Sequence, residues 1–166
     1  MTSDRLILRF AVVLIATITL FGSRQEVVVA QDIPSPEEFF GFQMGADRKL
    51  ARWDKLVEYY EILGRESDRL TVVNMGQTTL DNPFLALFIS SPDNLARLEA
   101  LRAINAKLSD PRGVPQQEIE QAVLDGKVVV VQSMGLHSSE VASSQMAAEL
   151  TYDLVTRTDD EVTRIL

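Results

Sequence analysis

The sequence predicts an α/β fold, and three observations carry that expectation. Residues 128–131 are four consecutive valines, segments with apolar residues every three or four positions flank that run, and two short apolar runs lie upstream of it at 70–75 and 84–89. An unbroken β-branched run with no polar alternation is the pattern of a strand buried on both faces, as at the centre of an α/β sheet.

The first thirty residues stand apart from that fold. Arg5 and Arg9 precede an apolar run of twelve residues at 10–21, and Val28-Val29-Ala30 follows as a small-residue cleavage site. This is the anatomy of a secretory signal peptide, with cleavage expected after Ala30 and a secreted or periplasmic location for residues 31–166. An uncleaved anchor is the alternative, but twelve apolar residues fall short of the roughly twenty that span a bilayer. No stable membrane insertion is expected after cleavage.

Charge narrows the partners. Three arginines against one aspartate and one glutamate give residues 1–30 a charge of +1, so a whole-chain charge of −8 leaves −9 on the rest. An acidic domain without a basic stripe repels phosphate backbones, which sets nucleic acid aside as a partner. The chain has no cysteine, so thiol catalysis, disulfides and Cys-ligated metal are excluded.

The remaining elements follow in order. Pro34 and Pro36 favour an extended entry up to Gly45. Leu50, Trp53, Val57 and Tyr60 repeat at helical spacing and predict a helix over 47–63, ended by Gly64, with its aromatic residues in the core. The runs at 70–75 and 84–89 read as strands joined by a polar connector at 76–82, a hairpin-like pair. Ser91-Pro92-Asp93-Asn94 opens a helix whose stripe is Leu95, Leu98, Leu101, Ile104 and Leu108, and Asp110-Pro111-Arg112-Gly113 stops it. A shorter helix is expected over 116–124. After the valine run a small-residue helix extends to about Val155, with Met146, Leu150 and Leu154 as its core stripe. Asp159-Asp160 reads as an exposed acidic pair at a helix start.

The chemistry concentrates at one place. His137 is the only histidine in 166 residues, and Glu140 follows three positions later. The two stand between the valine run and the small-residue helix, just past the carboxyl end of the predicted strand, where open α/β sheets bind ligands. An imidazole and a carboxylate so spaced can meet one metal ion if the backbone turns there. A catalytic zinc usually takes three protein ligands and a water, and this motif offers two, with no second histidine. The plain alternative is a hydrogen-bonded histidine at a helix start. Ser138 and Ser139 read as capping hydroxyls rather than nucleophiles.

These residues resemble the zinc carboxypeptidases of the carboxypeptidase A type. The family's first metal motif, His-x-x-Glu after a central strand, is matched by His137 and Glu140, and residues 128–136 are similar to the strand and glycine-containing loop that deliver it. Residues 72–79 and 84–90 resemble the family's first two strands. The segments at 36–42 and 47–50 are similar to those of large secreted bacterial members. Ser139 departs from the pattern, since many members carry arginine there, and the digestive members' substrate preference is therefore not carried over.

The resemblance implies a mixed, largely parallel central sheet flanked by helices on both faces, of which residues 31–166 form the N-terminal portion. It implies Zn2+ as cofactor, His137 and Glu140 as ligands, and peptide or protein as substrate. The family's third ligand, catalytic glutamate and carboxylate-binding arginine have no matching residues, so no catalytic residue is assigned and the segment by itself is expected to be inactive. In the whole enzyme, zinc would lower the pKa of a water and polarise the scissile carbonyl, and a glutamate other than Glu140 would move the proton. In a partial domain the valine run would lack neighbours and face water. Two alternatives stand beside the peptidase: an amidohydrolase or deacylase on the same fold, and a non-catalytic, degenerate peptidase-like binding module.

Overall fold

Helix α1 (Pro36–Phe40) opens on a capping box. The Glu38 N–H donates to the Ser35 hydroxyl at 3.3 Å, and the Ser35 N–H donates to Glu38 Oε2 at 2.8 Å. Pro36, whose missing N–H costs nothing at this position, completes the start. Extended entry thus gives way to a helical turn at Ser35, because Ser-Pro-Glu-Glu satisfies the end locally. The computed structural model in which this is seen describes residues 33–137 and 139–166. The expected signal peptide at 1–30 lies outside them.

Helix α2 (Trp53–Glu66) begins later than its periodicity predicts. Residues 46–49 instead form turns, with Arg48 at φ 57°. The buried face is Leu56, Tyr59, Tyr60 and Leu63, so Leu50 and Trp53 leave the core while Tyr60 keeps its place. The stripe is shifted because α1 lays Phe39 and Phe40 against Tyr59, with ring centroids 5.0 and 5.5 Å apart. Tyr59 Oη donates to the Pro34 carbonyl at 2.9 Å. Burial pushes the Tyr59 phenol well above its ordinary range and that of Tyr60 up to about 12. Gly64 does not end the helix. It lies inside α2, where an added Cβ would stand 2.8 Å from Val72 Cγ2, and its bareness lets the sheet approach.

Strands β1 (Leu70–Gln77) and β2 (Pro83–Ile89) form the expected hairpin. They pair antiparallel, Leu70 opposite Ile89, Val72 opposite Leu87 and Asn74 opposite Leu85, with an irregularity after Asn74 where Gly76 takes φ 123°. The connector is closed by Thr78 N–H to Asn82 O at 2.8 Å. The predicted helix after Ser91 is two pieces, α3 (Pro92–Leu95) and α4 (Leu98–Ser109), broken at Arg97 with φ −121° and ψ 26°. Leu101 is the buried member of its stripe, and α5 (Gln116–Asp125) packs beside α4.

The sheet expectation holds only in part and is corrected in its extent. Helices and strands mix as in a partial α/β domain, but among the described residues the only sheet is the two-stranded antiparallel hairpin, and a parallel central sheet is not seen. Residues 128–131 run without regular structure, and Val128, Val129, Val130 and Val131 are 65–93% exposed. A strand is a property of a pair, since its backbone donors and acceptors are satisfied only by a neighbour. β-Branched composition supplies the propensity but not the partner.

Helix α6 (Val141–Thr156) is the second correction. Its buried face is Gln145, Ala148, Thr151 and Val155, whereas Met146 and Leu150 are 52% and 36% exposed. Small residues win that face because α6 packs closely on α1, α2 and β2. Gln145, only 4% exposed, is satisfied at both ends of its amide: Oε1 accepts the Gly45 N–H at 2.9 Å, and Nε2 donates to the Lys49 carbonyl at 3.3 Å. This ties the turn-rich 45–49 segment to α6. Helix α7 (Asp160–Ile165) starts as expected at the acidic pair, Asp159 accepting the Val162 N–H at 3.3 Å. Among the described residues, no helix is long and apolar enough to cross a membrane.

Two stability predictions follow from this packing. Leu63→Ala should cost about 2–5 kcal/mol in urea unfolding, while Val129→Thr should change stability by less than about 0.5 kcal/mol and lower the binding of a hydrophobic dye. Gln145→Ala should cost about 1–3 kcal/mol, because the Gly45 N–H loses a buried acceptor.

Candidate metal centre

Residues 126–135 reach the motif without regular structure, and Gly135 takes a φ of 90°, in the region that favours glycine. A turn then closes with the Glu140 N–H donating to the His137 carbonyl at 3.1 Å. Glu140 stands at the N-cap of α6. Two elements therefore position the site: a glycine-hinged loop delivers the imidazole, and the first turn of α6 delivers the carboxylate.

The structure brings His137 and Glu140 together. Nδ1 of His137 lies 2.7 Å from Glu140 Oε1. The other carboxylate oxygen, Oε2, accepts the Leu136 N–H at 2.7 Å and the His137 N–H at 3.0 Å. With the carboxylate ionised, Nδ1 must carry the shared proton, because a carboxylate only accepts. The imidazole hydrogen bond, then the amides of His137 and Leu136, hold the Glu140 carboxyl below the ordinary glutamate range. Both side chains are open to solvent, 74% and 45% exposed. An open groove between α2 and the hairpin, lined by Val57, Glu61, Gly64, Leu70, Val72 and Leu85 among others, includes neither residue.

The capping expectation fails at Ser139, which makes no cap bond, and Ser138 lies outside the described residues. The hydroxyls that serve this helix start sit later. Ser143 Oγ donates to the Glu140 carbonyl at 2.7 Å, and Ser144 Oγ to the Val141 carbonyl at 3.0 Å. Sequence reasoning also passed over the Leu136 and His137 amides as partners of the carboxylate. Gly135, two residues before the histidine, was the available signal, because it marks where the backbone can turn its N–H groups inward.

The donor set suits a metal in kind. A neutral imidazole nitrogen and a carboxylate oxygen are zinc donors, and with metal–ligand bonds near 2.0–2.1 Å a tetrahedral angle separates two such atoms by about 3.3 Å. For Nδ1 and Oε1 to share an ion, the observed 2.7 Å separation would have to open by about 0.6 Å and Nδ1 would have to release the proton it shares with the carboxylate. The set is incomplete in number. Among the described residues no group of three or more His, Cys, Asp or Glu side chains assembles to hold an ion.

A family model described as zinc carboxypeptidase matches residues 57–166. The chain belongs to the zinc carboxypeptidase family. The matched span takes in most of α2, the hairpin, the valine run, the His137–Glu140 pair and helices α3–α7 of this zinc carboxypeptidase-family chain. The aromatic packing of α1 lies before it. No curated protein matches the chain, and no solved structure does.

The geometry fixes a pH response at Glu140. Its lowered pKa means that the bonds it makes support the motif above the ordinary glutamate range and are lost as pH falls through the lowered value. A carbon-detected titration should place the Glu140 midpoint below those of the exposed glutamates, and His137→Asn should move it upward.

Proposed function

We propose that this chain provides part of the zinc centre of a secreted metallocarboxypeptidase that hydrolyses peptide bonds in peptide or protein substrates, with His137 and Glu140 as metal ligands. The observation that carries the reading is the adjacency of these two donors at the head of α6, in a chain of the zinc carboxypeptidase family. When bound, zinc supplies Lewis acidity toward a carbonyl oxygen and lowers the pKa of water toward neutrality.

The chain's own residues have distinct parts in this reading. His137 offers an imidazole as a ligand, and to bind beside Glu140 its Nδ1 would exchange the proton it shares with Oε1 for the ion. Glu140 contributes charge to hold the ion. It is poorly placed to move protons to and from substrate, because Oε2 is committed to two amides and Oε1 to the imidazole.

The reading includes a wider sheet. The exposed residues 128–131 have the composition of a strand buried on both faces, and pairing would set His137 at the strand's carboxyl end. It also includes export, with residues 1–30 as a cleaved signal peptide; mass spectrometry of the secreted product should then begin at Gln31. A non-catalytic, peptidase-like binding role is the second reading, favoured by the presence of only two assembled donors among the described residues.

Zinc titration with a competing chelator separates these possibilities. The chain should take up zinc more weakly than a three-ligand site, and His137→Asn should reduce that affinity at least about tenfold. Uptake indifferent to His137 would sink the metal-site reading. Chelator-sensitive release of C-terminal residues from a peptide panel, without release from acylated amino acids, would support a peptidase over a deacylase; zinc uptake with neither activity would favour the binding role.

A further inference from the structure

We propose that the open groove between α2 and the hairpin binds an extended peptide segment, which adds to the free edge of β1 and sets a lysine or arginine against Glu61. The proposal does not rest on the metal-site reading, since neither His137 nor Glu140 lines this groove.

Two elements build the groove. Val57, Glu61 and Gly64 recur at helical spacing along one side of α2, and Leu70, Val72 and Leu85 line it from the hairpin. Gly64 keeps helix and sheet close, because a Cβ there would stand 2.8 Å from Val72 Cγ2. The groove's volume of about 520 Å³ falls within the roughly 300–1,000 Å³ of ligand clefts.

Charge selects the side chain that fits. On α2, Asp54 pairs with Arg52, Lys55 with Glu58 and Arg65 with Glu66. Among the described residues Glu61 is the one charged side chain of the helix without an ion pair, and it is the one that lines the groove. A carboxylate beside apolar walls suits a cationic head on an aliphatic stem, the stem covering apolar surface while the head meets the charge.

The strand edge selects a peptide over a small amine. β1 belongs to a two-stranded sheet, so one of its edges has no ladder among the described residues. The Ser90 N–H donates to the Arg69 carbonyl at 3.2 Å. Alternation along the antiparallel ladder then turns the backbone groups of Thr71 and Val73 toward β2, and those of Val72 and Asn74 away from it. Among the described residues, those outward groups make no backbone bond beyond the hairpin. Unpaired donors and acceptors beside a groove are a template for one more strand. An added strand sends every second side chain to the groove side, so the fitting segment carries a basic residue with apolar residues two positions away.

The test titrates the blocked peptide Ac-Thr-Val-Thr-Lys-Thr-Val-Thr-NH2 into the full chain without zinc, followed by amide nuclear magnetic resonance. The amides of Val57, Glu61, Val72 and Leu85 should shift, and hydrogen exchange at Val72 and Asn74 should slow. Replacing the peptide's lysine by glutamine should weaken binding about threefold, the scale of an exposed ion pair. That preference should vanish in Glu61→Gln and persist in Glu149→Gln, which removes the same charge from an exposed position outside the groove. A preference that survives Glu61→Gln, or is lost equally in Glu149→Gln, would show attraction to the acidic chain at large and overturn the role of Glu61. Shifts at His137 and Glu140 in place of the groove, or binding with unchanged exchange at Val72 and Asn74, would overturn strand addition to β1. Absence of binding would overturn the proposal outright. None of these outcomes bears on zinc uptake, so failure here and failure of the metal-site reading are told apart.

Discussion

The face of α2 made by Leu56, Tyr59, Tyr60 and Leu63 is the contact on which the rest of the structure depends. It receives the aromatic residues of α1 on one side, the hairpin on another and α6 on a third. Its three least exposed large side chains, Tyr59, Leu56 and Leu63, are sealed from water, and hydrophobic burial at about 25 cal/mol per Å² is the main favourable term in folding. Two details keep this packing close. Gly64 lets Val72 lie against the helix, and the Tyr59 hydroxyl finds the Pro34 carbonyl, so the largest buried side chain carries no unsatisfied polar atom.

Through that packing the fold reaches the His137–Glu140 pair from one side only. Helix α6 is anchored by Ala148, Val155 and the Gln145 amide, and its first turn holds Glu140. The approach from the N-terminal side is a different matter, because residues 126–135 are joined to no neighbour by a strand ladder. Order at His137 therefore comes from the motif itself: a carboxylate gripped by two amides and an imidazole, on a loop hinged at Gly135. Local hydrogen bonds do here what a flanking strand would otherwise do.

Much of this was legible in the residues. The hairpin, the helices at 98–109, 116–125 and 141–156 and the capping role of Asp159 all follow from patterns that need only near neighbours. The pairing of His137 with Glu140 is local too, since a single turn spans it. Misreadings fall where distant chain decides. Leu50 and Trp53 share helical spacing with Tyr60, yet the turns at 46–49 and the arrival of α1 move the buried face to Leu56 and Tyr59. Met146 and Leu150 form an apolar stripe on α6, but close packing on α1, α2 and β2 selects the slimmer face of Ala148 and Thr151.

The sequence by itself determined much of the local vocabulary: the helices at 98–109, 116–125 and 141–156, the cap at Asp159, the one hairpin, and a carboxylate within reach of the single histidine. It also carried the family resemblance, because His137, Glu140 and the valine run before them are readable without coordinates. Tertiary structure alone decided which helix faces are buried, and that residues 128–131 stand exposed rather than paired. The reason is physical. Periodicity and capping are satisfied within a few residues along the chain, whereas a strand and a buried face exist only when a partner surface arrives to complete them.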